Sequence, residues 1–185
     1  ALVASAGGPM VREIERAGGV HVTLPLTSKA PYRIWRNAAL LAQLIAERQV
    51  SIVHARSRAP AWSAMLAARR AGVPFVTTFH GTYNFKGRLK KRYNSIMARG
   101  DRVIAISRFI YRHVQETYGV DESVLRLVPR GIDTALFNPA AVSPERIIQL
   151  AERWRVPHDQ PTILMAGRIT RWKGQEVLLE ALHRL

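Results

Sequence analysis

The sequence contains no cysteine and no long apolar run. The lack of cysteine excludes disulfide bonds and thiolate sites, and it suits a reducing cytoplasm. No apolar stretch approaches the roughly 20 residues that a membrane-spanning helix needs. The chain of 185 residues, with 48% hydrophobic and 22% charged residues, is ordinary for a globular protein. We therefore expect a cytoplasmic protein with enough chain for one core, or for one domain and part of another.

Acidic residues are scarce in the first half of the chain. Residues 16–100 contain fifteen Lys or Arg and a single acid, Glu47, whereas residues 101–185 contain twelve basic and ten acidic residues. Most of the net charge of +15 is therefore carried by one half. This pattern is typical either of a solvated, arginine-rich surface or of a face that binds an anionic partner, such as acidic lipid, phosphorylated glycolipid or nucleic acid.

Strand-like and helical patterns alternate along the chain. Apolar, β-rich runs predict strands at 2–6, 20–24, 51–55, 75–79, 102–106, 125–128 and 162–166. Amphipathic patterns predict helices at 9–17, 33–48, 61–71, 89–98, 108–118 and 144–155, and another that opens at Gly174. Strands such as "RVIAIS" are almost wholly apolar, as expected when helices cover both faces of a parallel sheet. The pattern predicts an α/β fold with a Rossmann-like parallel sheet flanked by helices.

Two prolines interrupt this alternation near the end of the chain. The stretch "RVPHDQPTILMAGR" has prolines at 157 and 161, followed by a new apolar run. Such segments often join domains. We predict one Rossmann-like domain over residues 1–157, and the first strand and helix of a second domain over residues 158–185.

The last predicted strand leads into a basic loop and a helix. Arg168 follows the strand directly, Lys173 lies five residues later, and Gly174 opens the helix. The first N–H groups of a helix are unpaired and carry partial positive charge, so they favour anions. An arginine fork and a lysine ammonium beside them predict a diphosphate site.

The segment "GRITRWKGQEVLLEAL" resembles the opening of the second domain in GT-B family 4 glycosyltransferases. The resemblance extends over essentially the whole chain, through "SIVHARSRAPAWSAMLAARRAGVPFVTTFHGTYN", "DRVIAISRFI" and "LVPRGIDTALFNP". Bacterial members that build the lipopolysaccharide core look most similar. In this family two Rossmann-like domains face each other across a cleft. The first mainly holds the acceptor, and the second holds the nucleotide-sugar donor.

The resemblance implies roles for particular residues. His80, Arg168 and Lys173 are the expected catalytic residues: the two cations, with Gly174, would bind the donor diphosphate and stabilise it as a leaving group, and His80 would contact the transferred sugar. Further contacts with the acceptor or the sugar are expected from Gly81, Ser107 and Arg56. The sugar would be transferred with retention of anomeric configuration.

Arg130 departs from the family pattern, because the family usually has Asn before this glycine. Its contact with a ligand therefore stays open. His54 and His80 lack a cysteine or a nearby carboxylate, so we predict no metal site. The resemblance likewise implies no obligatory metal and no cofactor other than the nucleotide diphosphate sugar, which is the donor substrate.

A basic segment follows the predicted strand at 75–79. Five of its seven positions, 86–92, are cations: Lys86, Arg88, Lys90, Lys91 and Arg92. Apolar residues at helical spacing predict a basic amphipathic helix. This segment is interpreted either as a surface for an anionic acceptor or an inner membrane, or as a solvated helix face. We expect a cytoplasmic protein that lies peripherally on the inner membrane.

The family pattern also includes parts not found here: a first strand with a glycine-rich loop, and a Glu-x7-Glu segment. We therefore interpret the chain as a fragment that is inactive by itself and self-associates, as a homodimer or larger. The expected parent is a glycosyltransferase for an anionic glycan or glycolipid acceptor in lipopolysaccharide or cell-envelope biosynthesis. Two alternatives remain: a basic module that binds nucleic acid or another polyanion, and another GT-B enzyme such as a sugar epimerase. The cations match no known nucleic-acid reading motif, so we expect no nucleic acid.

Overall fold

A computed structural model describes residues 1–83, 85–157 and 159–184. The chain forms two compact units, Ala1–Gly131 and Ile132–Leu185. The predicted domain boundary at residue 157 lies within the second unit, next to His158, which is outside the described residues. It stays a prediction about the domains of the family.

The first unit begins with two βα repeats. Strand β1 (Leu2–Ser5) is followed by α1 (Val11–Arg16), and β2 (Val20–Thr23) is followed by the long helix α2 (Pro31–Glu47). The two strands pair in parallel, with Leu2 opposite Val20. The predicted helix at 9–17 is shorter in the structure. Helix α1 begins at Val11 after the cap Met10, so Pro9 lies outside it.

A four-stranded parallel sheet forms the rest of the first unit. Its strands lie in the order β3 (Val53–Ala55), β4 (Phe75–Phe79), β5 (Arg102–Ala105) and β6 (Leu125–Leu127). Helices α3 (Arg58–Ala71), α4 (Arg88–Asn94) and α5 (Arg108–Tyr118) connect these strands. The predicted helix at 89–98 is divided, since Ser95–Ala98 form a separate 3₁₀ turn. The predicted α/β fold with a parallel sheet is confirmed.

The core lies between this sheet and its helices. Phe79, Ile96, Met97, Val103 and Val114 are fully buried. Strand β4 is buried at Phe75 and from Thr77 to Phe79, as its apolar sequence predicts for a central parallel strand. Burial of these side chains is the main stabilising contribution to the fold.

The ends of the elements follow local chemistry. Helices α3 and α5 end at Gly72 and Gly119, whose left-handed backbone (φ 67° and 65°) glycine adopts without strain. Gly100 is needed for a steric reason. A Cβ at this position would lie 2.6 Å from the Arg102 carbonyl oxygen, so no larger residue fits without a shift of the backbone. Next to it, the Asp101 carboxylate accepts a hydrogen bond from the Phe75 N–H (2.7 Å) and fixes the start of β5 against β4.

The second unit contains α6 (Pro144–Trp154) and α7 (Gln175–His183), with 3₁₀ turns at Pro139–Ala141 and Arg171–Lys173. Ser143 caps α6 by accepting a hydrogen bond from the Arg146 N–H. The predicted strand at 162–166 is wrong, because the described residues of this segment are not in a strand. A strand requires a neighbouring strand to bond its backbone, and the described residues of this unit include none.

Candidate functional site

Three basic side chains meet where the parallel strands end. Arg56 follows β3, His80 follows β4, and Arg130 lies three residues beyond β6. Since all four strands run in the same direction, their carboxyl ends form one edge of the sheet, called the carboxyl edge below. Ligands of open parallel α/β sheets bind at this edge. We call Arg56, His80 and Arg130 the Arg-His-Arg cluster.

The two guanidiniums lie on opposite edges of the His80 ring. Arg130 Nη2 is 2.8 Å from His80 Nδ1, and Arg56 Nε donates to Nε2 over 3.3 Å. The Arg130 contact spans the end of β5, which lies between β4 and β6. His80 is half-buried, whereas both arginines are exposed to solvent.

Its surroundings keep the His80 ring neutral. Burial lowers the pKa of His80 below its ordinary value, and the charges of Arg56, Arg130 and His54 lower this pKa further. All of these neighbouring charges are cationic. A neutral ring can accept a hydrogen bond from a guanidinium, whereas an imidazolium cannot. The structure thus brings together two of the predicted site residues, Arg56 and His80, and Arg130 joins them.

Two further side-chain hydrogen bonds, His54–Thr78 and Arg58–Asn94, lie near the carboxyl edge. His54 Nε2 is 2.7 Å from Thr78 Oγ1, which joins β3 to β4, and burial followed by the Arg56 charge lowers the pKa of His54. Arg58, at the start of α3, donates to the buried Asn94 Oδ1 over 2.8 Å and lies 4.4 Å from the Tyr83 ring centre. These contacts position the first turn of α3.

The remaining predicted residues of this edge have simpler roles. Ser107 follows β5 and caps α5, since its hydroxyl accepts a hydrogen bond from the Ile110 N–H over 3.2 Å. Gly81 follows His80 directly, and a Cβ there would meet nothing within 4 Å among the described residues. The described residues therefore do not crowd the Cα of Gly81.

The basic segment 86–92 leads into α4 and includes its first residues, since the helix begins at Arg88. Its cations Lys86, Arg88, Lys90, Lys91 and Arg92 are all exposed, and Leu89 among them is 84% exposed. Lys91 lies over the Phe85 ring, with 5.8 Å between Nζ and the ring centre. The predicted apolar stripe is only partly buried: Ile96 and Met97 enter the core, while Leu89 points away from it.

In the second unit, the two predicted diphosphate-binding cations, Arg168 and Lys173, lie on one loop before α7. The aliphatic part of Lys173 passes close to Gly167, where a Cβ would lie 3.9 Å from Lys173 Cδ. Gln175 Nε2 donates to the Arg168 carbonyl oxygen over 3.0 Å and fixes the loop to the start of α7. Gly174 has φ 79° and caps α7, as predicted. Both cations are exposed.

Arg130, Arg58 and Gln175 are the residues that sequence reasoning missed or left open. Arg130 could be noticed in the sequence, because it departs from the family pattern. Its contact with His80 crosses the end of a strand, so residue spacing does not predict it. Arg58 and Gln175 act through tertiary contacts with residues 36 and 7 positions away, respectively.

Two kinds of feature are absent from the described residues. Within 1–83, 85–157 and 159–184, no three side chains of His, Asp or Glu are grouped as metal ligands would be. In the same ranges no helix has both the length and the apolar character needed to span a bilayer.

Comparison with known proteins identifies a family. The family model described as Glycosyltransferase Family 4 matches residues 1–136. A D-inositol 3-phosphate glycosyltransferase from Xylanimonas cellulosilytica is 31% identical over 148 residues, which are 72% of this chain and 35% of that relative.

Solved structures agree with this result. A glycosyltransferase from Rickettsia africae has 43% identity and a TM-score of 0.86, and the match covers 99% of this chain and 48% of that one. Anabaena Alr3699/HepE in complex with UDP-glucose has 20% identity and a TM-score of 0.74, over 99% of this chain and 49% of that one, and this likeness shows the fold. The chain therefore spans about half the length of these structures, and about a third of that of the curated relative.

Proposed function

Because this chain belongs to Glycosyltransferase Family 4, we propose that it forms part of an enzyme that transfers a sugar from a nucleotide diphosphate sugar to an anionic glycan or glycolipid. The transfer proceeds with retention and serves cell-envelope synthesis, such as that of the lipopolysaccharide core. Two similar proteins support these substrate classes. The structure of Anabaena HepE contains UDP-glucose, which supports a nucleotide-sugar donor. The relative from Xylanimonas cellulosilytica is a D-inositol 3-phosphate glycosyltransferase, which supports an anionic acceptor.

The observation that carries the donor assignment is the loop at 167–174. Lys173 passes over Gly167 next to Arg168, and the unpaired N–H groups of α7 follow at Gly174. Negative charge builds on the donor diphosphate as the glycosidic bond breaks, so fixed cations stabilise the transition state more than the ground state. In this proposal Arg168 and Lys173 stabilise the leaving group, and His80 contacts the transferred sugar.

Exposed cations support the anionic acceptor. The Arg-His-Arg cluster lies at the carboxyl edge, and the basic segment 86–92 adds exposed cations with an exposed leucine. Anionic lipid attracts such a segment, and an apolar residue among the cations adds burial in the headgroup region. We therefore place the enzyme peripherally on the cytoplasmic face of the inner membrane.

Replacing Lys173 by Ala tests the donor assignment. In a protein that joins this chain to the rest of the family fold, we expect turnover to fall about a hundredfold or more, because one leaving-group charge is lost. Arg168→Ala should act similarly. Arg171→Ala, a cation of the same loop, is the matched control, and His54→Ala should also have a smaller effect. Near-normal steady-state rates for Lys173→Ala and Arg168→Ala would contradict the assignment.

Charge removal from the basic segment tests the membrane proposal. We expect Lys90→Gln/Lys91→Gln to weaken binding to vesicles that contain phosphatidylglycerol, by roughly 2 kcal/mol for two cations near the surface. Arg146→Gln/Arg153→Gln removes the same charge from α6 and is the control. Equal losses in a vesicle sedimentation assay would show that only net charge matters. Tighter binding of single-stranded DNA than of phosphorylated core oligosaccharide would favour the nucleic-acid alternative instead.

A further inference from the structure

We propose that the Arg-His-Arg cluster is a phosphate-binding subsite, in which Arg56, His80 and Arg130 hold a phosphomonoester group of the acceptor. This inference deepens the proposed function and rests on it, since it assigns an anionic acceptor to particular side chains. It involves no bond formation or cleavage, and concerns recognition only.

The first argument is the count of hydrogen-bond acceptors. Arg130 and Arg56 approach the two different nitrogens of one imidazole, at 2.8 and 3.3 Å. A neutral imidazole has one acceptor nitrogen, because the other carries a proton. Only one of the two guanidiniums can therefore donate to the ring at a time, which leaves a donor of the other without an acceptor in the cluster. Among the described residues the Arg56 side chain has no other hydrogen-bond partner, so its remaining donors are available to a ligand.

The second argument is charge. Arg56 and Arg130 are held beside the same ring, and the charges that act on this ring are all cationic. Residues 16–100, which include Arg56 and His80, contain one acid only. Two cations that lie close together without a carboxylate repel each other, which costs electrostatic free energy. Such an arrangement is typical of a site that binds an anion. A phosphomonoester carries a charge of about −1.5 to −2 at pH 7, which balances two guanidiniums.

The third argument is geometry. Because the ring separates the guanidiniums, an anion that contacts both must present several oxygens, and a phosphomonoester has three. Helix α3 begins at Arg58 at the same edge, and within the described residues its cap Ser57 makes no side-chain hydrogen bond to the helix. Its first N–H groups thus add partial positive charge next to Arg56. Both arginines are exposed, so a ligand can reach them.

The 185-residue chain itself allows a direct test with methyl phosphate. Ring signals of His80, assigned with a His80→Gln variant, should shift saturably as methyl phosphate is added in an NMR titration. We expect Arg56→Gln and Arg130→Gln each to weaken this binding on the order of tenfold, as for one charge-assisted hydrogen bond. Arg69→Gln removes an exposed arginine at the end of α3 and should leave affinity unchanged. Backbone spectra of each variant establish that it is folded.

Four outcomes would overturn the proposal. Unshifted His80 signals, or equal weakening by Arg69→Gln, would show that the cluster is not a phosphate subsite. Acetate binding as tight as that of methyl phosphate would contradict a phosphomonoester ligand. UDP displacing methyl phosphate from the His80 signals with higher affinity would assign the cluster to the donor. None of these results alters the outcome of the Lys173→Ala test, so the subsite can fail while the transferase function stands.

Discussion

His80 combines two properties at the scale of one residue: it lies at the carboxyl edge, and its ring is held neutral by its neighbours. Burial makes the largest contribution to lowering the pKa of His80, and Arg56, Arg130 and His54 add to it. The folded state therefore disfavours protonation. Folding stability should decrease as the pH falls below the ordinary histidine value of 6.5, since the unfolded chain then binds more protons.

Removing a neighbouring cation should reverse part of this effect. We expect Arg130→Gln and Arg56→Gln each to raise the pKa of His80 towards its ordinary value, because one repulsive charge is lost. An NMR pH titration of the His80 ring measures the change, with Arg69→Gln as control. A pKa that stays the same in both variants would mean that burial alone sets it.

At the scale of elements, two serines in similar positions differ in one contact. Ser57 and Ser107 each follow a strand of the sheet and cap the next helix with an extended backbone. Ser107 accepts a hydrogen bond from the Ile110 N–H, while among the described residues Ser57 makes no such bond to α3. Pro60 explains part of the difference, because it occupies the third position of α3 and has no N–H to donate.

These serines give a matched pair of substitutions. We expect Ser107→Ala to lower the free energy of unfolding by about 1 kcal/mol, the usual value of a capping side chain. Ser57→Ala should change it by much less. Urea denaturation followed by circular dichroism measures both, and an equal loss in the two variants would show that the capping bond is not the cause.

At the scale of the whole molecule, the two units differ in how much they bury. The first unit has a core around β4, whereas no described residue of the second unit is fully buried. Helix α6 illustrates this, because Ile147, Ile148 and Trp154 are each more than half exposed. Exposed apolar surface of this kind promotes association with other chains.

We therefore expect the 185-residue chain to self-associate at micromolar concentration. Ile147→Glu/Trp154→Glu should shift it towards the monomer, since the apolar face of α6 is then charged, whereas Gln149→Glu should not. Light scattering coupled to size-exclusion chromatography gives the mass. A strict monomer for the unaltered chain would contradict this expectation.

The sequence by itself determined the local structure of most of the chain. Apolar runs predicted strand β4 and amphipathic spacing predicted helix α5 with the bounds that the structure gives them, because such patterns report burial directly. Gly72 and Gly119 end helices α3 and α5 for a backbone reason that needs no tertiary contact. The segment 162–166 shows the limit, since an apolar run becomes a strand only when a neighbour bonds its backbone.

Only the tertiary structure decided which distant residues meet. Arg56 and His80 were predicted at the ends of two strands, but strand order and register bring them to 3.3 Å. Arg130, fifty positions from His80, reaches the same ring across the end of β5. No pattern along the chain encodes that distance. The charge of each residue is a property of the sequence, whereas the crowding of cations around one neutral ring results from the fold.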